Sequence, residues 1–243
     1  YTVYNTLSLH DALPICEAAV AVIGAGAMGA GIAQVAAQAG HEVLLFDARE
    51  GAAGEAVRRL AATFDQLASK GRLSAQDARA AAARVSAVRT AADCAGAKLV
   101  VEAIVEDLEV KRGLLRELES AVADDAILAS NTSSLSITAL AAGMKRPGRV
   151  AGMHFFNPAP LMPLVEVVRG LATDPGVDET LVATALSWGK VPVRATSTPG
   201  FIVNRCARPF YGEALRLLAE RASDPATIDA VMREAGGFRM GPF

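Results

Sequence analysis

His154 is the residue of this chain best suited to move a proton, because histidine is a common general base near neutral pH. The chain has three histidines: His10 lies in a leader that we exclude below, and His41 lies on a predicted surface turn. His154 ends a predicted strand, and Glu166 lies on the next one. A hairpin-like return of the chain would bring the Glu166 carboxylate against the imidazole. Such a carboxylate fixes the tautomer and stabilises the imidazolium, so the sequence predicts a His–Glu pair for acid–base chemistry.

Each of these two residues also has a plainer interpretation. His154 is either a functional base or a buried core histidine, and its place at the end of a strand favours function. Glu166 is either its partner or an exposed strand charge. The flanking residues 164, 165, 167 and 168 are all apolar. An unpaired carboxylate buried among them would be costly, which favours the pair.

A glycine-rich turn near the N-terminus predicts a nucleotide site. Residues 20–31 read VAVIGAGAMGAG, in which an apolar run meets the pattern G-x-G-x-x-G. The first glycine permits a tight turn, the second lets the backbone approach a pyrophosphate, and the third lets the helix pack close to the strand. The N-terminus of the following helix offers amides and a positive dipole end to phosphates. The residues of this turn that we expect to bind the cofactor are Gly24, Gly26, Ala27, Met28 and Gly29.

An acid completes the pattern. The second apolar run, residues 43–46, ends in Asp47, which lies 23 residues after Gly24; roughly 20 are expected for the acid that binds ribose hydroxyls. Strand, glycine turn, helix, strand and acid are the parts of a dinucleotide-binding βαβ unit, and the alternative is a glycine-rich turn without a ligand. Because Asp47 would repel a 2′-phosphate, NAD is expected over NADP, with Arg49 as the one residue that argues against it.

Alternating strands and helices position these residues. The predicted strands are residues 20–23, 43–46, 99–104, 126–129, 150–156, 164–168 and 191–194. The predicted helices are residues 32–39, two within 51–83 that break near Lys70, then 91–95, 106–120, 137–142 (capped by Ser134), 178–188, 201–222 and 226–234. This order predicts an α/β fold with a doubly wound, mostly parallel Rossmann sheet, followed by the start of an all-α second domain. Polar residues that follow strand ends are then site candidates: Asp47, Glu106, Asn131 to Ser134, His154 and Asn157.

The predicted domains are a leader at residues 1–16, a nucleotide-binding domain at 17–198 and the start of a helical domain at 199–243. Residues 7–15 read LSLHDALPI and resemble the translation of a sequencing-library adapter, so we exclude the leader from fold reasoning; a genuine disordered tail is the alternative. Residues 237–243 end without a closing helix, so we expect a truncated second domain. Such a fragment would bind NADH with little or no turnover.

Composition excludes several classes of function. The chain has 243 residues, is 52% hydrophobic and carries a formal charge of −2, which gives no footprint for nucleic acid or an anionic membrane. No apolar run approaches the roughly 20 residues of a membrane span. The three cysteines, Cys16, Cys94 and Cys206, are odd in number and far apart, which indicates a reducing cytoplasm. We expect no metal site.

Three further stretches resemble one enzyme family. HFFNPAPLMPLVEVV at 154–168, SNTSSLSIT at 130–138 and STPGFIVNR at 197–205 are together similar to the NAD-dependent L-3-hydroxyacyl-CoA dehydrogenases, and the resemblance runs over residues 20–243. LSWGKVPV and NRCARPFYGEALR are closest to the bacterial branch that acts on 3-hydroxyadipyl-CoA in phenylacetate degradation, or on 3-hydroxybutyryl-CoA. Cys206 departs from the aliphatic residues usual at its position, and we interpret it as an ordinary helix residue.

The resemblance implies a role for each matched position. His154 matches the catalytic base and Glu166 its partner. Ser133 matches the serine that hydrogen-bonds the reacting oxygen and lies at the substrate. Asn204 matches an asparagine that faces that oxygen from the second domain.

The resemblance also implies the binding residues. Asn157 matches a residue near the nicotinamide, and Glu106 and Lys111 match residues that line the NAD site. Asn131 is included with the cofactor-binding candidates because it follows a strand end. Lys70 falls near a residue that meets the phosphates of CoA, although a solvated turn is the plainer interpretation.

The activity implied is oxidation of an L-3-hydroxyacyl-CoA to the 3-oxoacyl-CoA in fatty-acid or phenylacetate degradation, by a cytoplasmic homodimer. A related sugar-acid dehydrogenase of the gulonate type and a non-catalytic NAD-binding protein are the alternatives. A hydroxyacid dehydrogenase that uses lysine is less favoured, because no lysine lies where His154 does.

Overall fold

The structure, a computed structural model, describes residues 13–15 and 18–243. Most of the predicted leader, including His10 and Cys16, lies outside the described residues. Ile15 is described, and its amide donates a hydrogen bond to Oγ1 of Thr184 at 3.2 Å. The chain divides into two compact units, of which one ends at Thr198 and the other runs Pro199–Phe243.

The first unit is built on one sheet, in which the structure describes eight strands. Their order across the sheet is β3-β2-β1-β4-β5-β6-β7-β8. All neighbours pair parallel except β6 and β7, which are antiparallel. The strands are β1 (Ala19–Ile23), β2 (Val43–Phe46), β3 (Val85–Ala87), β4 (Ala97–Glu102), β5 (Ile127–Ser130), β6 (Val150–Phe155), β7 (Leu164–Arg169) and β8 (Val191–Thr196). The prediction of a doubly wound, mostly parallel Rossmann sheet is therefore confirmed.

Helices connect the strands and form the second unit. In the first unit they are α1 (Ala27–Gln38), α2 (Ala52–Ser69), α3 (Ala75–Ala83), α4 (Leu108–Ala121), α5 (Ile137–Ala141) and α6 (Pro175–Ser187). The second unit holds α7 (Val203–Ala219) and α8 (Pro225–Glu234), and no strand of the described sheet follows them. Short 3₁₀ turns lie at Ala91–Cys94 and Pro147–Arg149.

The structure corrects several boundaries predicted from the sequence. α1 begins at Ala27 rather than at residue 32, because the helix starts directly in the glycine turn. β3 was missed, since three residues carry too little periodicity to predict a strand. α5 is capped by Ser136, whose hydroxyl accepts from the amide of Ala139, whereas Ser134 was expected to cap it. The Ser134 hydroxyl instead contacts Glu106.

The sheet is covered on both faces, which explains its apolar strands. Alternate strand residues such as Val22 and Val101 share one buried cluster with Ile32 of α1, Phe64 of α2 and Leu181 of α6. On the opposite face, the close approach of α5 explains Gly152. A Cβ there would lie 3.0 Å from Ile137 and 2.8 Å from Val168.

His41 is buried, contrary to the prediction of a surface turn. Its exposed fraction is 4%. Nδ1 lies 3.0 Å from the carbonyl oxygen of Ala18, and the ring packs edge-on against Trp188. The imidazole therefore joins the segment before β1 to the end of α6 and lies within the core.

Two further observations concern the described residues alone. Cys94 is a buried free thiol and Cys206 an exposed one. Within residues 13–15 and 18–243, no helix combines the length and the apolar character needed to cross a membrane.

We predict that an added methyl group destabilises the fold much more at Gly29 than at Gly26. A Cβ at Gly29 would overlap the carbonyl oxygen of Gly24, whereas a Cβ at Gly26 would meet no atom within 4 Å. We expect Gly29→Ala to lower the free energy of unfolding by about 2 kcal/mol or more, because backbone must move apart. Gly26→Ala should cost about 1 kcal/mol or less, as expected at a helix N-cap. Urea unfolding followed by fluorescence of Trp188, the single tryptophan, measures both, and equal losses would contradict this account of the packing.

Candidate active site

The carboxyl ends of β1, β4, β5 and β6 lie side by side at one edge of the sheet, because these four strands are adjacent and parallel. β1 lies between β2 on one side and β4 on the other, so the strand order reverses at β1. This reversal of strand order opens the crevice in which doubly wound folds bind their ligands. We refer to the loops and side chains that follow these strands as the carboxyl edge.

The glycine turn after β1 has the features of a phosphate site. Gly24 adopts a φ of +107°, and a Cβ there would lie 2.5 Å from the carbonyl oxygen of Ala103. Gly26 is the exposed N-cap of α1 and provides no side-chain hydrogen bond to the first turn. Ala27 is exposed and Met28 half-buried behind it. The amides and the dipole of α1 are thus suited to an anion such as a diphosphate.

Asp47 lies beside this turn, and its carboxylate already accepts several hydrogen bonds. Oδ2 accepts from the Ala25 amide at 2.7 Å, and Arg49 donates from its amide and its guanidinium to both oxygens. Burial raises the pKa of Asp47, but the hydrogen bonds from Arg49 and Ala25 outweigh it, so the pKa lies below its usual value. The bonds occupy about four acceptor positions. The Arg49 guanidinium that supplies two of these bonds is itself exposed.

A buried ion pair that the sequence did not reveal lies behind the carboxyl edge. Glu102, the last residue of β4, is 0% exposed, and Lys111 of α4 is 1% exposed. Oε1 of Glu102 accepts from Lys111 Nζ at 2.6 Å and from the Ile104 amide at 2.7 Å. Oε2 accepts from the hydroxyl of Ser130 at 2.7 Å. A carboxylate that ends an apolar strand beside a glycine turn is the signal by which Glu102 could have been found.

Lys111, which was predicted to line the NAD site, is buried beneath the carboxyl edge. Its ammonium is buried and bonded to protein oxygens, namely Glu102, the carbonyl of Ile104 at 3.3 Å and Oε2 of Glu106 at 3.3 Å. Lys111 therefore contacts the carboxyl edge through Glu106.

Glu106 organises the loop that follows β5. Its Oε1 accepts from the Thr132 hydroxyl at 2.6 Å and from the amide of Ser133 at 2.9 Å, and the hydroxyls of Ser133 and Ser134 lie at 3.3 Å. Burial raises the pKa of Glu106. The hydrogen bonds from the Thr132 hydroxyl and the Ser133 amide, together with Lys111, lower it by more, so the pKa lies below its usual value. The ionised carboxylate thus holds Ser133 beside the end of β4.

His154 and Glu166 are direct partners across the antiparallel pair β6–β7. Nδ1 of His154 lies 2.7 Å from Oε2 of Glu166. Both side chains are buried, Glu166 completely. The ring of Phe156 packs on the imidazole at a centroid distance of 4.5 Å. The expected contact between the two side chains is therefore present, and it lies inside the protein at the carboxyl edge.

The other candidates are placed less centrally. Oδ1 of Asn131 accepts from the Phe155 amide at 2.8 Å and so ties the ends of β5 and β6 together. Asn157 is exposed just beyond β6. Lys70 is exposed at the C-cap of α2, before the turn at Gly71. Asn204 lies in the first turn of α7, in the second unit.

The chemistry available here is acid–base chemistry next to an anion site. Across the described ranges, no three or more His, Cys, Asp or Glu side chains form a group able to hold a metal ion. A histidine with a buried carboxylate partner can take a proton from a bound hydroxyl group. Because the glycine turn belongs to the same edge, a phosphate-bearing cofactor fits the residues present.

Comparisons with known proteins assign both units to families. Residues 19–198 match the model of the "3-hydroxyacyl-CoA dehydrogenase, NAD binding domain". Residues 200–243 match that of the "3-hydroxyacyl-CoA dehydrogenase, C-terminal domain". Together these two matches span most of the chain.

Individual relatives agree with this assignment. The chain is 52% identical over 223 residues to 3-hydroxyadipyl-CoA dehydrogenase of Escherichia coli K12, covering 92% of this chain and 47% of that protein. It is 44% identical over 232 residues to mitochondrial hydroxyacyl-coenzyme A dehydrogenase of Sus scrofa, covering 92% and 73%. A crystal structure of 3-hydroxybutyryl-CoA dehydrogenase from E. coli K12 superposes with a TM-score of 0.91 at 51% identity, covering 93% and 48%. The chain thus spans about half the length of its E. coli relative.

Glu102→Gln should weaken the first unit far more than a surface change of the same kind. Lys111 would lose its buried counter-charge, and breaking such a pair typically costs about 3 kcal/mol or more. Glu109→Gln lies on α4, the helix that carries Lys111, and removes the ion pair of an exposed glutamate with Arg112. It should cost about 0.5 kcal/mol or less. Urea unfolding monitored at Trp188 compares the two. A loss for Glu102→Gln as small as that for Glu109→Gln would show that the buried pair does not stabilise the fold.

Proposed function

The chain belongs to the 3-hydroxyacyl-CoA dehydrogenase family, and on this premise we propose that it oxidises L-3-hydroxyacyl-CoA to 3-oxoacyl-CoA with NAD. The observation that carries the proposal is the buried hydrogen bond between His154 and Glu166, at the same edge as a glycine turn suited to a diphosphate. The relatives are named for 3-hydroxyadipyl-CoA and 3-hydroxybutyryl-CoA, so we propose an acyl thioester of this kind as the substrate.

The cofactor is held by groups of the carboxyl edge. The amides at the N-terminus of α1, from Gly26 to Gly29, bind the diphosphate, and Asp47 accepts from the ribose hydroxyls once Arg49 has moved aside. Glu106, Asn131 and Asn157 line the remainder of the cofactor site, with Lys111 behind Glu106. NAD, when bound, supplies the hydride acceptor, and this chain supplies binding, orientation and electrostatics.

The proton is taken by His154. With Nδ1 bonded to Glu166, the other ring nitrogen, Nε2, accepts the proton of the C3 hydroxyl group as the C3–H bond gives up its hydride and the C3=O bond forms. Glu166 stabilises the positive charge that develops on the ring. Ser133, held by Glu106, and Asn204 hydrogen-bond the substrate oxygen. Lys70 is proposed to meet the phosphates of the CoA moiety.

The organisation of the whole protein is also part of the proposal. Residues 17–198 form the NAD-binding domain after the leader at 1–16, and residues 199–243 belong to a helical domain for substrate binding and dimerisation. The break after Thr198 supports this division. We propose a homodimer for the full-length protein and, from the free thiols of Cys94 and Cys206, a reducing cytoplasmic location.

The test is NADH-dependent reduction of acetoacetyl-CoA, followed by loss of NADH absorbance. It uses the 243-residue chain and a chimera in which the chain continues into the part of the E. coli relative that follows the matched region. Turnover by the chimera, abolished by His154→Gln, is the expected result, with little or no turnover by the 243-residue chain. The proposed activity would be wrong if neither protein reduced acetoacetyl-CoA, or if a gulonate-type sugar acid were the better substrate.

In the chimera, Glu166→Gln should lower kcat by about 10²-fold while leaving the affinity for NADH unchanged, because the carboxylate acts on the imidazolium and not on the cofactor. The measurement is steady-state kinetics together with NADH fluorescence titration. Glu117→Gln, an exposed change on α4, is the control and should alter neither value. A parallel loss of NADH affinity would assign Glu166 to cofactor binding.

NADH should bind at least about tenfold more tightly than NADPH, because Asp47 repels a 2′-phosphate. Fluorescence titration with both cofactors measures the ratio without requiring turnover. Asp47→Asn removes the negative charge and should narrow the ratio. Equal affinity of the unchanged chain for both cofactors would contradict the assignment of Asp47.

A further inference from the structure

The corner between β6 and β7, residues 158–163, is held from two sides. On one side it meets α1. A Cβ at Gly31 would lie 3.2 Å from both Ala159 and Pro160, so the glycine allows the helix to pack directly on the corner. On the other side, Nζ of Lys190 donates to the carbonyl oxygens of Ala159 at 2.6 Å and Met162 at 3.0 Å.

Lys190 is an unusual residue for a packing role. It is 7% exposed, and the contacts described for its ammonium are carbonyl oxygens, with no carboxylate among them. Burial lowers the pKa of Lys190. Taking an ammonium out of water without a counter-charge costs free energy that a methionine of similar length would not. An ammonium, however, has three donors and can bridge carbonyl groups that an apolar side chain cannot.

Hydrogen bonds connect Lys190 to the segment that follows Asn157. The carbonyl oxygen of Pro158 accepts from the amides of Leu161 and Met162, both at 3.0 Å. Met162 in turn accepts from Lys190. Asn157 directly precedes Pro158. Lys190 thus constrains the turn that begins at Pro158. Asn157, the residue before this turn, is exposed just beyond β6.

We propose that Lys190 is a positioning residue, which holds the corner against α1 and thereby places Asn157 for the nicotinamide half of the cofactor. The inference rests on the proposed function for the role of Asn157. α1 then serves both halves of the dinucleotide: its N-terminus receives the diphosphate, and its Gly31 face supports the corner. The His154–Glu166 pair depends less on Lys190, because the ladder between β6 and β7 places those two residues opposite each other.

The test compares two ligands that share an adenosine diphosphate half. NADH carries the nicotinamide, and ADP-ribose lacks it. Lys190→Met should weaken NADH binding by about tenfold, because the lost constraint acts on the nicotinamide side. It should leave the affinity for ADP-ribose unchanged. Lys190→Arg, which keeps the charge and the donors, should restore much of the NADH affinity. Lys98→Met, at an exposed lysine paired with Asp125, is the matched control and should change neither affinity.

Chemical rescue gives a second readout. A surface cavity of about 350 Å³ is lined by Lys190, Pro160 and Trp188. In Lys190→Ala, propylammonium replaces the missing atoms and should restore NADH affinity. Tetramethylammonium, which has the charge but no N–H donor, should not.

Equal weakening of NADH and ADP-ribose, or no weakening of either, would overturn the positioning role of Lys190. So would equal rescue by both ammonium ions. Reduction of acetoacetyl-CoA by the unchanged chain and the chimera is assayed in parallel. If neither protein reduced acetoacetyl-CoA, the proposed activity would be contradicted. The affinities for NADH and ADP-ribose would still decide the role of Lys190.

Discussion

The hydrogen bond between His154 and Glu166 is the interaction on which the rest of the site depends, and it exists because β7 reverses the direction of the sheet. The antiparallel register sets the two residues opposite each other, so that Nδ1 and Oε2 meet at 2.7 Å. A carboxylate among apolar neighbours at this depth needs a partner, and the histidine is the partner in the structure. A seventh strand parallel to β6 would need a long crossover, whereas the short corner at 158–163 keeps the two side chains in register.

A second buried charge shapes the other side of the site. Glu102 ends β4 where the chain order reverses, and it holds Lys111 and Ser130. Lys111 then contacts Glu106, which fixes the loop carrying Ser133. Replacing a buried pair by apolar residues is often neutral for stability. The pair is therefore better explained by the geometry that it transmits to the serine loop than by stability alone.

Close backbone packing of α1 joins the glycine turn after β1 to the corner after β6. Gly29 allows α1 to approach the turn after β1, and Gly31, two residues further along the helix, allows α1 to meet the corner after β6. The helix that offers its N-terminus to a phosphate is thus also in contact with the segment that follows His154. In this arrangement the His154–Glu166 pair and the glycine turn belong to one framework of the first unit.

The sequence by itself determined the fold class, the glycine turn, the place of Asp47 at the end of a strand and the contact between His154 and Glu166. Each follows from a local pattern: an apolar period, a glycine spacing, or a polar residue at a strand end. It did not reveal Glu102 as the partner of Lys111, the burial of His41 against Trp188, or the cap at Ser136. These depend on which elements pack together, and spacing along the chain carries no such information. Lys190 is the clearest case. It follows a glycine after α6, and the carbonyl groups it bonds lie about thirty residues earlier in the chain. Only the tertiary structure brings them within reach, because β8 pairs with β7 and thereby places the loop before it beside the corner.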